Sequence, residues 1–177
     1  MKSFTYSLFF ILFTSSLSAF SFNDWHSGMI MEHVLEKNKF EQKTFKEDKC
    51  SSTCRDIYFT EEVLGADAKI TLHFTMSEKM LYRVEVLWGA GVKEEDLQKF
   101  TDEVIGFLDK KYGEIQVYSR PNYNAFDVIK EKKWQPEPNT EIVARKGPSF
   151  LALILTDIEL KGNHDFEMSQ HLKEEKQ

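Results

Sequence analysis

Between Ala68 and Trp88 apolar and polar residues alternate with a period of two. Ile70, Leu72, Phe74 and Met76 fall on one face, against Lys69, Thr71, His73 and Thr75 on the other. After the polar break Ser77-Glu78-Lys79, the series Met80, Tyr82, Val84, Val86 and Trp88 alternates with Leu81, Arg83, Glu85 and Leu87. This period marks two half-buried strands, and the short break predicts an antiparallel hairpin covered on one face.

The period then changes. Leu97, Phe100, Val104, Phe107 and Leu108 recur at three- and four-residue steps, flanked by Ile105 and Tyr112, which predicts one long amphipathic helix. Gly91 is the expected N-cap, with Glu94 at the third helical position. Glu94, Glu95 and Asp96 suit the positive end of the helix dipole, and Lys110 and Lys111 the negative end. Gly113 supplies the stop. Phe100, Val104 and Phe107 are expected against the Ile70, Leu72 and Phe74 face of the hairpin.

The remaining segments extend or cover this unit. Phe22 to Phe40 reads as a first helix, capped by Asn23 or Asp24, with a partial stripe of Met29, Met31, Val34 and Leu35 interrupted by Gly28. Glu41 to Lys49 is an edge strand or a loop, and Asp56 to Leu64 a strand leading into the hairpin. Glu114 to Ser119 reads as a strand through Ile115 and Val117. Asn124 caps a short helical turn from Ala125 to Ile129, and Trp134 belongs to a short strand before Pro136 and Pro138. Thr140 to Lys146 and Ser149 to Leu160 form a second hairpin across Gly147-Pro148. The latter strand is apolar on both faces, which places it near the middle of the sheet. From Lys161 onward no apolar period is visible, so 161–177 is expected to be a charged flexible tail with His164 and His171 in solvent. The pattern predicts one α+β domain over 22–160: an antiparallel sheet of about five to seven strands, an N-terminal helix, and one long helix packed on one face.

Residues 1–21 do not fit that domain. Lys2, the unbroken apolar run Leu8 to Phe13 and the small residues of Ala19-Phe20-Ser21 predict a cleaved export leader, with cleavage after Ala19 as an alternative. The apolar run is shorter than the roughly 20 residues of a membrane span. The expected product is periplasmic or secreted, with no stable membrane insertion after leader removal. In that setting Cys50 and Cys54, the only cysteines, are expected to form a disulfide. The closed loop is small, so the link is worth only about 2 kcal/mol. Three intervening residues and a following strand pattern argue for a structural staple over a redox pair.

The chain carries 29 acidic and 23 basic residues, net −6, without basic clusters, which argues against nucleic acid as a partner. There is no Gly-rich phosphate loop, no G-x-S-x-G elbow and no H-E-x-x-H helix. No cofactor and no metal are expected. His26 and His33 stand seven apart, two turns on the expected helix, so they do not converge as an i,i+4 pair would. His73, Arg83 and Glu85 share the polar face of the first hairpin, where they make either an acid–base group or a cross-strand polar cluster. The irregular stretch Arg120 to Asn139 combines prolines with aromatics, and Arg120, Tyr123, Phe126 and Trp134 are its candidate binding residues. The expectation is a non-enzymatic binding or assembly protein with an envelope protein partner. The alternatives are a carrier holding a small apolar ligand between helix and sheet, and a hydrolase using the His73, Arg83 and Glu85 face.

Overall fold

The computed structural model describes residues 20–41, 46–48, 56–89, 93–113 and 130–174. Two short strands, β1 (Ser21–Phe22) and β2 (Trp25–His26), pair as a small hairpin and are followed by helix α1 (Met31–Glu41). Strands β3 (Lys46–Asp48), β4 (Asp56–Val63), β5 (Ala66–Phe74) and β6 (Leu81–Trp88) form one meander. Helix α2 (Glu94–Tyr112) comes next. A second meander follows, from β7 (Lys130–Glu137) through β8 (Thr140–Lys146) to β9 (Leu151–Asp157), and then helix α3 (Ile158–Glu174). All pairings are antiparallel, and the two meanders join where β9 lies beside β6, giving the order β3-β4-β5-β6-β9-β8-β7. The fold is α+β.

The β6-to-β7 connection runs from the middle of the sheet to its far edge, and α2 lies in it. Its 19 residues span about 28 Å, ample to cross the roughly 14 Å of three interstrand steps. Leu97, Thr101, Val104 and Leu108 of α2 are buried, one ridge at i, i+4, i+7 and i+11. Beneath them lie Ile70, Leu72, Val84, Val86, Trp88, Leu153, Leu155 and Ile142, which form the sheet's side of the core. Phe100 packs edge-on against Trp88 at 5.3 Å between ring centroids. Phe107, expected in the core, is 37 % exposed, with the Lys111 ammonium over its ring. It stands on the flank of the ridge, and Leu108 takes the inward position. The helix begins with Lys93 as N-cap, whose side chain makes no capping bond. It ends at Gly113 (φ 86°), whose N–H donates to the Asp109 carbonyl. The expected cap, Gly91, lies outside the described residues. At Gly89 (φ 146°) a Cβ would run into the Ser149 carbonyl oxygen, so β6 can end beside the 147–150 turn only with glycine.

Three expectations change. The first helix begins at Met31, because residues 20–26 form the β1–β2 hairpin. Asn23 (φ 50°) and Gly28 (φ 80°) take left-handed conformations that a helix does not contain, and Phe20, Phe22 and Trp25 pack into the core. His26 and His33 therefore sit on different elements, both exposed. The segment after Lys161, expected to fray, is helical to Glu174. Asp157 caps α3 by accepting the Leu160 N–H at 3.0 Å, and His164 is buried. The strand expected around Trp134 is an edge strand that tolerates Pro136 beside a register shift between Trp134 and Glu137. The strand expected at 114–119, the helical turn at 124–129 and the Cys50–Cys54 pair lie outside the described residues.

Candidate functional site

On the polar face of the sheet, opposite α2, and on the helix α3 packed against it lie His73, Tyr82, Glu85, His164 and Glu167, whose pKa values depart from the ordinary ones. The layout of this face depends on one irregularity. His73 pairs with Arg83 but Phe74 pairs with Leu81, so Tyr82 is an extra residue on β6. The β-bulge turns Leu81 into the core, fully buried, and sends Tyr82 to the same face as Arg83. The uninterrupted alternation put Tyr82 inside with Val84; the bulge reverses Leu81 and Tyr82 and leaves the rest of β6 in phase.

Along this row the pairings run Asp56, His73, Arg83, Thr156. His73 Nδ1 lies 2.9 Å from Asp56 Oδ2, and its Nε2 lies 3.8 Å from Glu85 Oε2. The first is a hydrogen bond; the second is an ion-pair distance too long for one. Arg83 Nη2 stands 3.9 Å from the same Glu85 oxygen. The sequence placed His73, Arg83 and Glu85 on one face, and they do converge. Asp56 was missed as a member. It opens a strand whose register against β5 is a pairing property, and no local signal marks it.

Burial lowers the His73 pKa and Arg83 pushes the same way. The hydrogen bond to Asp56, the interaction with Glu85 and the Asp56 charge outweigh both, so His73 stands above 6.5. His73 in turn holds Glu85 below the ordinary carboxylate value, against burial and with help from Arg83. The His73 ring is bracketed by the carboxyl groups of Asp56 and Glu85, an arrangement that favours its protonated form. The Nε2 atom, which Asp56 leaves for chemistry, is buried away from solvent and faces a carboxylate.

Helix α3 closes this end of the face. His164 stacks on Tyr82, with ring centroids 4.8 Å apart and planes at 22°, and Tyr82 approaches the His73 ring at 6.2 Å. Burial raises the Tyr82 hydroxyl to about 12, aided by Asp56, and burial lowers the His164 pKa. Farther along α3, Glu167 accepts the N–H groups of Met76 (3.1 Å) and Ser77 (3.3 Å) and the Ser77 hydroxyl. Those bonds hold the Glu167 carboxyl below its ordinary value although burial acts to raise it.

The signs of these shifts predict a pH response. The raised His73 pKa contributes stability that is complete below pH 6.5 and is lost as pH rises through its folded value. His164 runs oppositely: its contribution is complete above 6.5 and declines as pH falls below it. Glu167 and Glu85 contribute above 4.5 and lose that contribution as pH falls through their lowered values. In a histidine NMR titration, assigned with His73→Gln and His164→Gln, His73 titrates above 6.5 and His164 below. After correction for the intrinsic slowing of amide exchange at lower pH, protection in 158–174 falls on acidification before protection in the central strands does. Coincident titration of the two histidines contradicts the bracket.

The other candidate residues fare differently. Trp134 is fully buried, and its Nε1 donates to Asp109 Oδ1 at 3.2 Å, so it offers a partner no surface. Lys132 Nζ reaches Asp109 Oδ2 at 2.6 Å, fastening the end of α2 to the edge strand β7. Arg120, Tyr123 and Phe126 lie outside the described residues. Away from α3, the polar face bears Tyr58, Thr60, Lys69, Thr71 and Leu87, with Leu87 37 % exposed and the Lys69 ammonium 4.4 Å from the Tyr58 ring centroid. An open cleft of about 800 Å³ lies beside the start of α2, lined by Lys93, Glu94, Glu95, Gln98 and Lys146. Among the described residues no cluster of His, Cys, Asp and Glu could hold a metal ion, and no helix is long and apolar enough to cross a membrane.

Comparison with protein-family models, with curated proteins and with solved structures finds no match for this chain.

Proposed function

We propose that this is an exported, non-enzymatic binding or assembly protein that meets an envelope protein through the open part of the sheet's polar face. One observation carries the non-enzymatic reading: the only nitrogen of His73 not hydrogen-bonded to Asp56 is buried and faces Glu85, where a substrate cannot reach it. A base in a hydrolase needs that nitrogen beside a nucleophile or a water. The carrier alternative needs space between helix and sheet, and beside α2 that layer is filled by Leu97, Val104, Leu108, Trp88 and Trp134. The leader pattern of 1–21 supports export. The exposed Leu87 beside Tyr58 and Lys69 supports the choice of face, since an apolar residue ringed by aromatic and cationic groups suits a protein contact.

The test is capture of partners from envelope extract by the immobilised protein. Leu87→Glu weakens capture at least tenfold, about 1.4 kcal/mol, with the melting temperature nearly unchanged because the side chain is already part-exposed. If capture persists and Tyr123→Ala removes it instead, the contact belongs to the segment from Arg120 to Asn139. If neither variant changes capture, the binding reading fails.

A further inference from the structure

We propose that export processing hydrolyses the Ala19–Phe20 peptide bond, making Phe20 the first residue of the mature protein. The proposal rests on the export reading above and fixes the modification site within it. The local sequence offers two sites: one after Ser21, with Ala19 and Ser21 at the small-residue positions, and one after Ala19. Packing on the mature side separates them. Phe20 is 0 % exposed and belongs to the same core cluster as Phe22, Trp25 and Phe59. Its carbonyl accepts the N–H of Ser27 at 3.0 Å, and its own N–H donates to Ser27 Oγ at 3.4 Å. Ser27 is itself 4 % exposed. Ser21 pairs with His26, and Phe22 with Trp25, across the turn at Asn23.

A cut after Ser21 removes the buried Phe20 ring, the carbonyl that receives the Ser27 N–H, and the Ser21–His26 half of the hairpin. A cut after Ala19 keeps every one of these contacts. Water adds across the bond: Ala19 departs with the leader as a carboxylate, and Phe20 retains its nitrogen as an ammonium that still donates to Ser27 Oγ. The reaction is a hydrolysis by the export pathway's leader peptidase and needs no other reactant.

The full-length chain is expressed with export in a bacterial host, and the exported product is read by N-terminal sequencing and intact mass. The expected start is Phe20-Ser21-Phe22. A start at Phe22, or at any other internal residue, overturns the proposal and leaves export standing. A start at Met1 overturns both. Ser21→Arg provides the second measurement, because a large charged residue blocks the later site and leaves the earlier one its small residue. Native-like processing of S21R to a Phe20 start supports the proposal, and failure to process it overturns the proposal.

Discussion

Trp134→Ala is expected to lower the unfolding free energy by about 3–5 kcal/mol, the cost of removing a large aromatic side chain from a core. The residue is 0 % exposed, faces Ile142 across the β7–β8 pair, and donates its indole N–H to Asp109. Two losses combine. A cavity opens beneath the end of α2, and Asp109 keeps only Lys132 as its partner from β7. Trp134→Phe separates them: it preserves most of the apolar contact but deletes the hydrogen bond, and costs about 1–2 kcal/mol. Asp109→Ala leaves the part-buried Lys132 ammonium and the indole N–H without that carboxylate, at about 1–3 kcal/mol for the unsatisfied donor. Urea denaturation of the three variants ranks them Trp134→Ala first. A Trp134→Ala protein within about 0.5 kcal/mol of the parent, the range of a surface change, would refute the placement of β7 against α2.

A second large effect distinguishes neighbouring residues on α2. Leu108→Ala costs about 2–5 kcal/mol because its side chain is 2 % exposed on the inward ridge. Phe107→Ala, next to it and larger, costs under about 1 kcal/mol, since its ring is 37 % exposed and rests beside Lys111. Hydrophobicity alone ranks the two in the other order. The midpoint of urea unfolding at constant m-value gives the comparison directly, and equal losses at both sites would mean α2 is rotated about its axis from the orientation described.

That contrast illustrates how a sequence period narrows a face without settling it. Leu97, Phe100, Val104, Phe107 and Leu108 fit a stripe, but two ridges lie within a stripe that wide. The sheet accepts the one running Leu97, Thr101, Val104 and Leu108, with a threonine whose hydroxyl is satisfied by the Leu97 carbonyl at 2.7 Å. The candidate site behaves similarly. His73, Arg83 and Glu85 fall together because a period of two operates within each strand. Asp56 and His164 join them only through register and helix docking. Trp134 was legible as a strand residue, but its side was not: Lys132, its neighbour on the same face, is not the apolar residue that marks a core strand, and the register shift after Trp134 breaks the alternation on the other side.

By itself the sequence determined the elements whose signals are local and redundant: β5 and β6 by alternation, β9 by apolar residues on both faces, α2 by its stripe and its glycine stop. Each of these follows from hydrophobic period and backbone preference within about twenty residues. Tertiary structure decided what depends on two segments meeting. The β5–β6 register shift moves Tyr82 across the sheet, and no single strand encodes it. The hairpin of Phe20 to His26 replaces the start of a helix because its aromatics gain a core to enter. Helix α3 forms from a segment without an aliphatic stripe because its inward row, Leu160, His164, Glu167 and Met168, is recognised only by its partners. Tyr82 stacks on the buried imidazole, and the turn at Met76 and Ser77 supplies donors to the carboxylate. A polar helix face reads as solvated until the groups that satisfy it are in place, and those groups lie some eighty to ninety residues away in the chain.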